Sequence, residues 1–189
     1  YLTESGLVES REKAKFLIKR GAVLVDGSVV VKPSKEVSEV SDVKAVGEFE
    51  FVGRGGYKID RAAREFDIDF NGKVVADLGC STGGFTHYAL RNGARKVYSV
   101  DIGDPLHESL RRDERVVYLP NRDVREISEL EEKVDLCLID ITFSPIRDLL
   151  RVVMGWLKPR GEVLGLIKPP FENRGLRKPK KVVNYKGCR

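Results

Sequence analysis

Residues Val74 to Phe85 read V-V-A-D-L-G-C-S-T-G-G-F. An apolar run ends near Asp77, a glycine-rich turn follows, and helix-compatible residues come next. That order is the first strand, loop and helix of an α/β nucleotide-type site, with the ligand at the carboxyl end of a parallel strand. Gly79, Gly83 and Gly84 lack a Cβ, so the backbone can turn sharply and approach a ligand closely. Ser81 or Thr82 is expected to cap a helix starting near Gly84, and Gly93 to stop it. The spacing is Gly-x-x-x-Gly-Gly, not the Gly-x-Gly-x-x-Gly of dinucleotide enzymes, which argues against NAD. A second strand, Lys96 to Ile102, carries Asp101 near its end, about 20 residues beyond the loop, where a carboxylate can hold two ribose hydroxyls.

The rest of residues 53 to 189 alternates in the same way. A helix is expected from Gly56 to Phe66, then strand one at Lys73 to Leu78 with its helix. Strand two precedes a short helix near Pro105 to Asp113. Strand three is Arg115 to Leu119 and strand four Val134 to Ile141. A helix begins at Pro145, capped by Ser144, with Ile146, Leu149, Leu150, Val153 and Leu157 on one face. Strand five is Gly161 to Lys168. Parallel strands with crossover helices give a doubly wound, Rossmann-like α/β sheet.

Residues 1 to 46 follow another pattern. Glu9 to Gly21 reads as a helix with Ser10 as N-cap and Ala14, Leu17 and Ile18 on one face. Val23 to Val25 and Val29 to Val31 are joined by Asp26-Gly27, a hairpin signal. This is a small α+β unit. Residues 41 to 52 read as a polar, acidic connector, of which 47 to 52 are the linker, with a strand expected at Glu48 to Val52. Arg11, Lys13, Lys15, Lys19, Arg20 and Lys32 offer cations to a phosphate backbone, and Arg54 adds one at the start of the larger domain. A solvated helix surface is the bland alternative.

Lys and Arg outnumber Asp and Glu by 34 to 29, giving +5 and a pI near 9.1. That balance suits a polyanionic partner. No apolar run approaches the ~18 residues of a membrane span. No secretory signal is visible, and the chain opens at Tyr1 without a methionine, an expectation of a missing start. Three cysteines are too few for a disulfide framework, and none has metal-ligand spacing, so they read as reduced thiols of a cytoplasmic protein without a metal.

Three charged residues stand where chemistry is expected: Lys58 in Arg54-Gly55-Gly56-Tyr57-Lys58, Asp140 at the end of strand four, and Lys168 at the end of strand five. With strands four and five beside strand one, Asp140 and Lys168 would meet over a bound ligand. Asp77 is read as a support of the loop, and Asp123 as either a turn aspartate or a ligand contact. His87 and His107 receive no role.

The Asp77 to Phe85 loop looks like the S-adenosylmethionine loop of Rossmann-fold methyltransferases, which implies cofactor contacts from Asp77, Gly79, Cys80, Ser81, Thr82, Gly83, Gly84, Phe85 and Asp101. Asp123 resembles the position that contacts the cofactor's adenine amino group. Together with Arg54-Gly55-Gly56-x-Lys58, the Asp140 strand and Lys168-Pro169-x-Phe171-Glu172, the chain resembles the FtsJ-type 2′-O-methyltransferases. Gly6-Leu7, Ser10-Arg11, Ala14, Leu17-Ile18, Gly21, Val23, Val25-Asp26-Gly27 and Lys32-Pro33-Ser34 resemble the S4-like RNA-binding domain, which narrows the likeness to the TlyA, or haemolysin-A-like, family. The resemblance implies methylation of a ribose 2′-hydroxyl of ribosomal RNA, with cytidine suggested and ribosomal subunits as partners. It maps three members of a Lys-Asp-Lys-Glu tetrad onto Lys58, Asp140 and Lys168. The fourth, a glutamate, has no match, Glu172 belongs to a different run, and Arg174 to Arg189 lacks the expected last strands, as if the domain's end were incomplete. The basic set Arg174, Arg177, Lys178, Lys180, Lys181, Lys186 and Arg189 reads as a phosphate-binding tail or a solvated end.

Three alternatives stand beside this reading. A methyltransferase acting on a base or protein is the nearest, but it would be expected to carry an acceptor motif such as Asn-Pro-Pro-Tyr after strand four, where this chain has Asp140-Ile141-Thr142-Phe143-Ser144-Pro145. A non-catalytic RNA-binding assembly factor would keep the fold, but the glycine loop with Asp101 speaks against it. A membrane-active haemolysin would need a spanning or lytic segment, and none is visible. Oligomeric state stays open.

Overall fold

The computed structural model describes residues 1–45, 51–142 and 144–172. The chain divides into two compact units, Tyr1–Phe49 and Glu50–Arg189.

In the first unit, α1 (Arg11–Lys19) starts at Ser10, whose hydroxyl accepts the Lys13 amide. Ser10 thereby satisfies one of the free N–H groups of the first turn. β1 (Val23–Val25) and β2 (Ser28–Val29) form the expected hairpin. Asp26 and Gly27 take φ of 50° and 77°, the left-handed pair that a two-residue turn requires. A third strand, β3 (Val43–Ala45), pairs antiparallel on the other side of β1. It stands in the segment read as connector. The strand expected at Glu48 to Val52 falls mostly outside the described residues, and Phe51 and Val52 are bends. Leu2, Val8, Ala14, Leu17 and Val23 form the core between helix and sheet.

The second unit is a five-stranded parallel sheet. Its elements in chain order are α2 (Gly55–Glu65), β4 (Val74–Leu78), α3 (Gly84–Arg91), β5 (Lys96–Val100), α4 (Glu108–Arg111), β6 (Val116–Leu119), a 3₁₀ turn (Val124–Glu126), β7 (Val134–Ile139), α5 (Ile146–Trp156), β8 (Leu157–Gly165) and α6 (Pro169–Glu172). The strand order is β6-β5-β4-β7-β8, all parallel. The order reverses at β4, so the crevice between the ends of β4, β5 and β7 is the topological switch point. Strand four flanks strand one as expected. Strand five does not: among the described residues β8 pairs with β7 alone, one strand further out.

Alternation along the strands divides the core. Val75, Val97, Leu136 and Leu138 face α2 and α3 with Ile59, Phe85 and Tyr88. Val74, Ala76, Tyr98, Cys137 and Ile139 face the opposite side with Leu149, Val153 and Trp156 of α5. β4 is buried at every position, as a central strand covered on both faces must be.

Two expected caps are absent. α3 begins after Gly83, whose φ of 93° puts it in the left-handed region, and neither Ser81 nor Thr82 caps it. A Cβ on Gly83 would come within 2.3 Å of Leu110 Cδ1, so tight packing as well as the turn demands glycine there. α5 begins after Pro145, again without a side-chain cap from the preceding residue, and the Ser144 hydroxyl is buried without a partner among the described residues.

Leu138 sits on β7 with no exposed surface. Leu138→Ala is expected to lower the unfolding free energy by about 2–5 kcal/mol in urea titration, through reduced burial and the cavity left behind.

Candidate functional site

The strand ends carry the polar residues. Asp77 is the fourth residue of β4 and has no exposed surface. Its Oδ2 accepts from the Thr86 amide (2.9 Å) and the Thr86 hydroxyl (2.7 Å), and Thr86 Oγ1 in turn lies 2.7 Å from Ser99 Oγ. This network ties β4 to the first turn of α3 and to β5. Burial pushes the Asp77 carboxyl up to about 7; the Thr86 hydrogen bonds oppose this, and Asp140 and Asp101 add to the push. Its Oδ1 has no hydrogen-bond partner among the described residues. Asp77 therefore supports the loop from below, and it is not among the residues lining the pocket.

Gly79 follows with φ of 81°, and a Cβ there would lie 3.0 Å from the Asp140 carbonyl oxygen. Only glycine lets the β4 loop pass so close to the end of β7. Asp101 stands just past β5. One of its oxygens accepts the Ser81 amide and the other the Gly103 amide, both at 2.9 Å. Asp101 thus fastens the glycine loop while lining the pocket. Asp123 caps the 3₁₀ turn and binds Arg125 Nε at 2.8 Å, and that guanidinium holds its carboxyl down at about 2.

Between these elements is a pocket of about 360 Å³, lined by Gly79, Ser81, Asp101, Asp123, Asp140 and Ile141 among others. That is the size of a small-molecule site. Cys80, Gly84 and Phe85 are buried against the core instead, Thr82 is exposed, and none of the four lines the pocket, nor does Gly83. Burial pushes the Cys80 thiol far up, so it is a packing residue.

At one edge of the pocket stands Asp140. Its Oδ2 accepts from Lys58 Nζ of α2 at 2.9 Å, and its Oδ1 lies 2.5 Å from Lys168 Nζ. Lys168 also donates to the Asp140 and Ile141 carbonyls (3.3 and 3.1 Å) and to Thr142 Oγ1 (3.1 Å). The three residues singled out in the sequence therefore form one cluster, although β8 is not next to β4. Lys168 reaches it because the chain continues past β8 and bends back over the end of β7. Such a cluster can orient a hydroxyl beside a ligand in the pocket through two cationic donors and one acceptor.

Sequence reasoning missed Thr86, Ser99, Thr142 and Glu172. Glu172 Oε1 accepts the Ile146 amide at 3.1 Å. Thr86 and Ser99 were legible only as polar residues in otherwise buried elements.

In the first unit, Arg11, Lys15, Lys19, Arg20 and Lys32 are exposed and Lys13 is half-buried. Lys13 pairs with Glu9, Lys15 lies 3.7 Å from Glu12, Arg11 4.0 Å from Glu4, and Arg20 stacks over Phe16. Arg54 is exposed at the start of α2. The C-terminal basic set lies outside the described residues.

The raised Asp77 carboxyl has a definite consequence for stability. Between its unfolded value near 4 and its folded value near 7, the folded state binds more protons than the unfolded one. Stability contributed by this group is therefore expected to fall as pH rises from about 4 to 7. Asp77→Asn, whose amide oxygen can still accept from Thr86, should flatten that slope in denaturation measured across this range.

The second unit matches the family model of FtsJ-like methyltransferases over residues 51–188. The first matches that of the S4 domain over residues 1–43. The chain is 36% identical over 176 residues to YqxC of Bacillus subtilis, covering 90% of this chain and 63% of that protein. It is also 36% identical over 176 residues to the 16S/23S rRNA (cytidine-2′-O)-methyltransferase TlyA of Mycobacterium tuberculosis, covering 90% of this chain and 66% of that one. A solved structure of a hemolysin-named protein from Streptococcus thermophilus superposes with a TM-score of 0.66 at 33% identity, covering 91% of this chain and 65% of that one. The chain thus spans about two thirds of the length of these relatives. No described helix is long and apolar enough to cross a membrane. With a switch-point pocket, a Lys-Asp-Lys cluster at its edge and an S4 domain ahead of both, the chain belongs to the FtsJ-like methyltransferase family.

Proposed function

We propose that the chain transfers a methyl group from S-adenosylmethionine to a ribose 2′-hydroxyl of ribosomal RNA, with the S4 domain gripping the RNA. The observation that carries the reading is the Lys58–Asp140–Lys168 cluster at the edge of the pocket.

The pocket residues fit this cofactor. The lining sets Asp101, Asp123 and Asp140 beside Arg122 and Arg125. Asp123 is paired with Arg125 and Asp140 with two lysines, which leaves Asp101, among the described residues, as the carboxylate free of a cation that can meet a cationic or hydroxyl-bearing ligand. Asp101 and Ser81 stand where ribose hydroxyls can be held, and Gly79 lets the loop close onto the end of β7 beside them. When bound, S-adenosylmethionine supplies an electrophilic methyl group.

The chain's own residues then position the acceptor. Asp140 holds the two lysines apart and in place. Lys168, donating to an arc of oxygens, orients the hydroxyl oxygen toward the pocket, and the proton that the hydroxyl gives up on methylation would pass to the Asp140 carboxylate, the acceptor of the cluster. Lys58 is half-exposed and offers its charge to the acceptor strand. Alignment of this kind accounts for much of the rate of such a displacement. TlyA of Mycobacterium tuberculosis is named for cytidine in 16S and 23S RNA, which supports cytidine in a ribosomal subunit as the acceptor here. A ribosomal substrate supports a cytoplasmic location for the protein.

The test is transfer of labelled methyl to unmethylated ribosomal subunits. Lys168→Ala and Asp140→Ala should each lower kcat by about 10²–10⁴ while calorimetry still detects cofactor binding to Lys168→Ala. Full activity in both variants would remove the assignment. For the S4 unit, replacing Arg11, Lys15 and Lys32 with Ala should weaken RNA binding. The slope of log affinity against log salt should fall by about one for each phosphate no longer neutralised. An unchanged slope would place the RNA elsewhere.

A further inference from the structure

Two segments leave the carboxyl ends of neighbouring strands: the loop from Asp140 to Pro145 after β7, and residues 166 to 172 after β8. They are fastened together in order along their lengths. The Leu166 amide donates to the Ile139 carbonyl at 2.8 Å. Lys168 grips Asp140, Ile141 and Thr142. Glu172 then accepts the Ile146 amide, from a position 26 residues away in sequence.

The Glu172–Ile146 bond fills a local deficiency. α5 has no side-chain cap from its own loop, because Pro145 offers none and Ser144 does not turn to it. Glu172 supplies both an acceptor for a free first-turn amide and negative charge at the positive end of the helix. Glu172 and Lys168 ride on one turn, closed by the Phe171 amide donating to the Lys168 carbonyl at 2.8 Å. Pro169 and Pro170 between them restrict the backbone further. Glu172 does not line the pocket.

We propose that Glu172 is a positioning residue: by docking α6 onto the N-terminus of α5, it holds Lys168 in register over Asp140. This rests on the reading of the cluster as the methyl-transfer centre.

The test compares Glu172→Ala with Glu172→Gln in the whole chain. Three quantities are read: cofactor affinity by calorimetry, kcat and KM for ribosomal RNA, and hydrogen exchange at the Ile141, Thr142 and Ile146 amides. Glu172→Ala should keep cofactor affinity within about twofold and reduce kcat about ten- to a hundredfold, with KM little changed, as expected for a displaced reacting group. Glu172→Gln, whose amide oxygen still accepts from Ile146, should recover to within about threefold of the parent. Exchange at Ile146 should quicken in the Ala variant and not in the Gln variant. An unchanged kcat in Glu172→Ala overturns the proposal, and so does equal damage in both variants with loss of cofactor binding. If the parent transfers no methyl to RNA, the functional reading fails and exchange alone decides: faster exchange in Glu172→Ala sustains the positioning role, and unchanged exchange overturns it.

Discussion

The Asp140 carboxylate is the point on which the site depends. Its side chain is only 16% exposed, yet it carries a cation on each oxygen. A half-buried carboxylate without partners would be costly, and two lysines beside each other without it would repel. The residue therefore fixes both cations at once. Its backbone is equally committed: its amide donates to the Leu78 carbonyl at 3.1 Å, and its carbonyl oxygen closes against Gly79. Through these bonds β4, β7, α2 and the segment after β8 meet at one residue. The pocket and the lysine cluster are thus two sides of the same junction.

The fastening works in layers. Buried alternation on β4 and β7 sets the sheet. Asp77, Thr86 and Ser99 then lock the start of α3 to β4 and β5 from beneath. Asp101 fastens the loop from the ligand side. Each polar layer uses a carboxylate. Burial opposes ionisation of Asp77, and Asp140 and Asp101 add to that opposition.

Much of this is legible in the sequence because it is local. The glycine loop, the Asp26-Gly27 hairpin and the Ser10 cap each depend on residues a few positions apart. Lys58, Asp140 and Lys168 stand out because each sits at a recognisable boundary and because the resemblance marks them. What escaped is non-local. Val43–Ala45 becomes a strand by pairing across 18 or more positions with β1, not from its own short pattern. The caps expected from Ser144, Ser81 and Thr82 follow propensity, but Glu172 and the left-handed Gly83 took those places. The adjacency of strands one and five was misjudged, since crossover direction does not fix how far out a strand is laid. Lys168 still reaches Asp140, because the chain folds back after β8.

The most direct test of the central claim is where the methyl group lands. Ribosomal RNA treated with the protein and S-adenosylmethionine would be digested to nucleosides and weighed with the sugar and base separated. The account predicts the added methyl mass on the ribose of one nucleoside, cytidine. A methyl group on the base, or on protein, would contradict it.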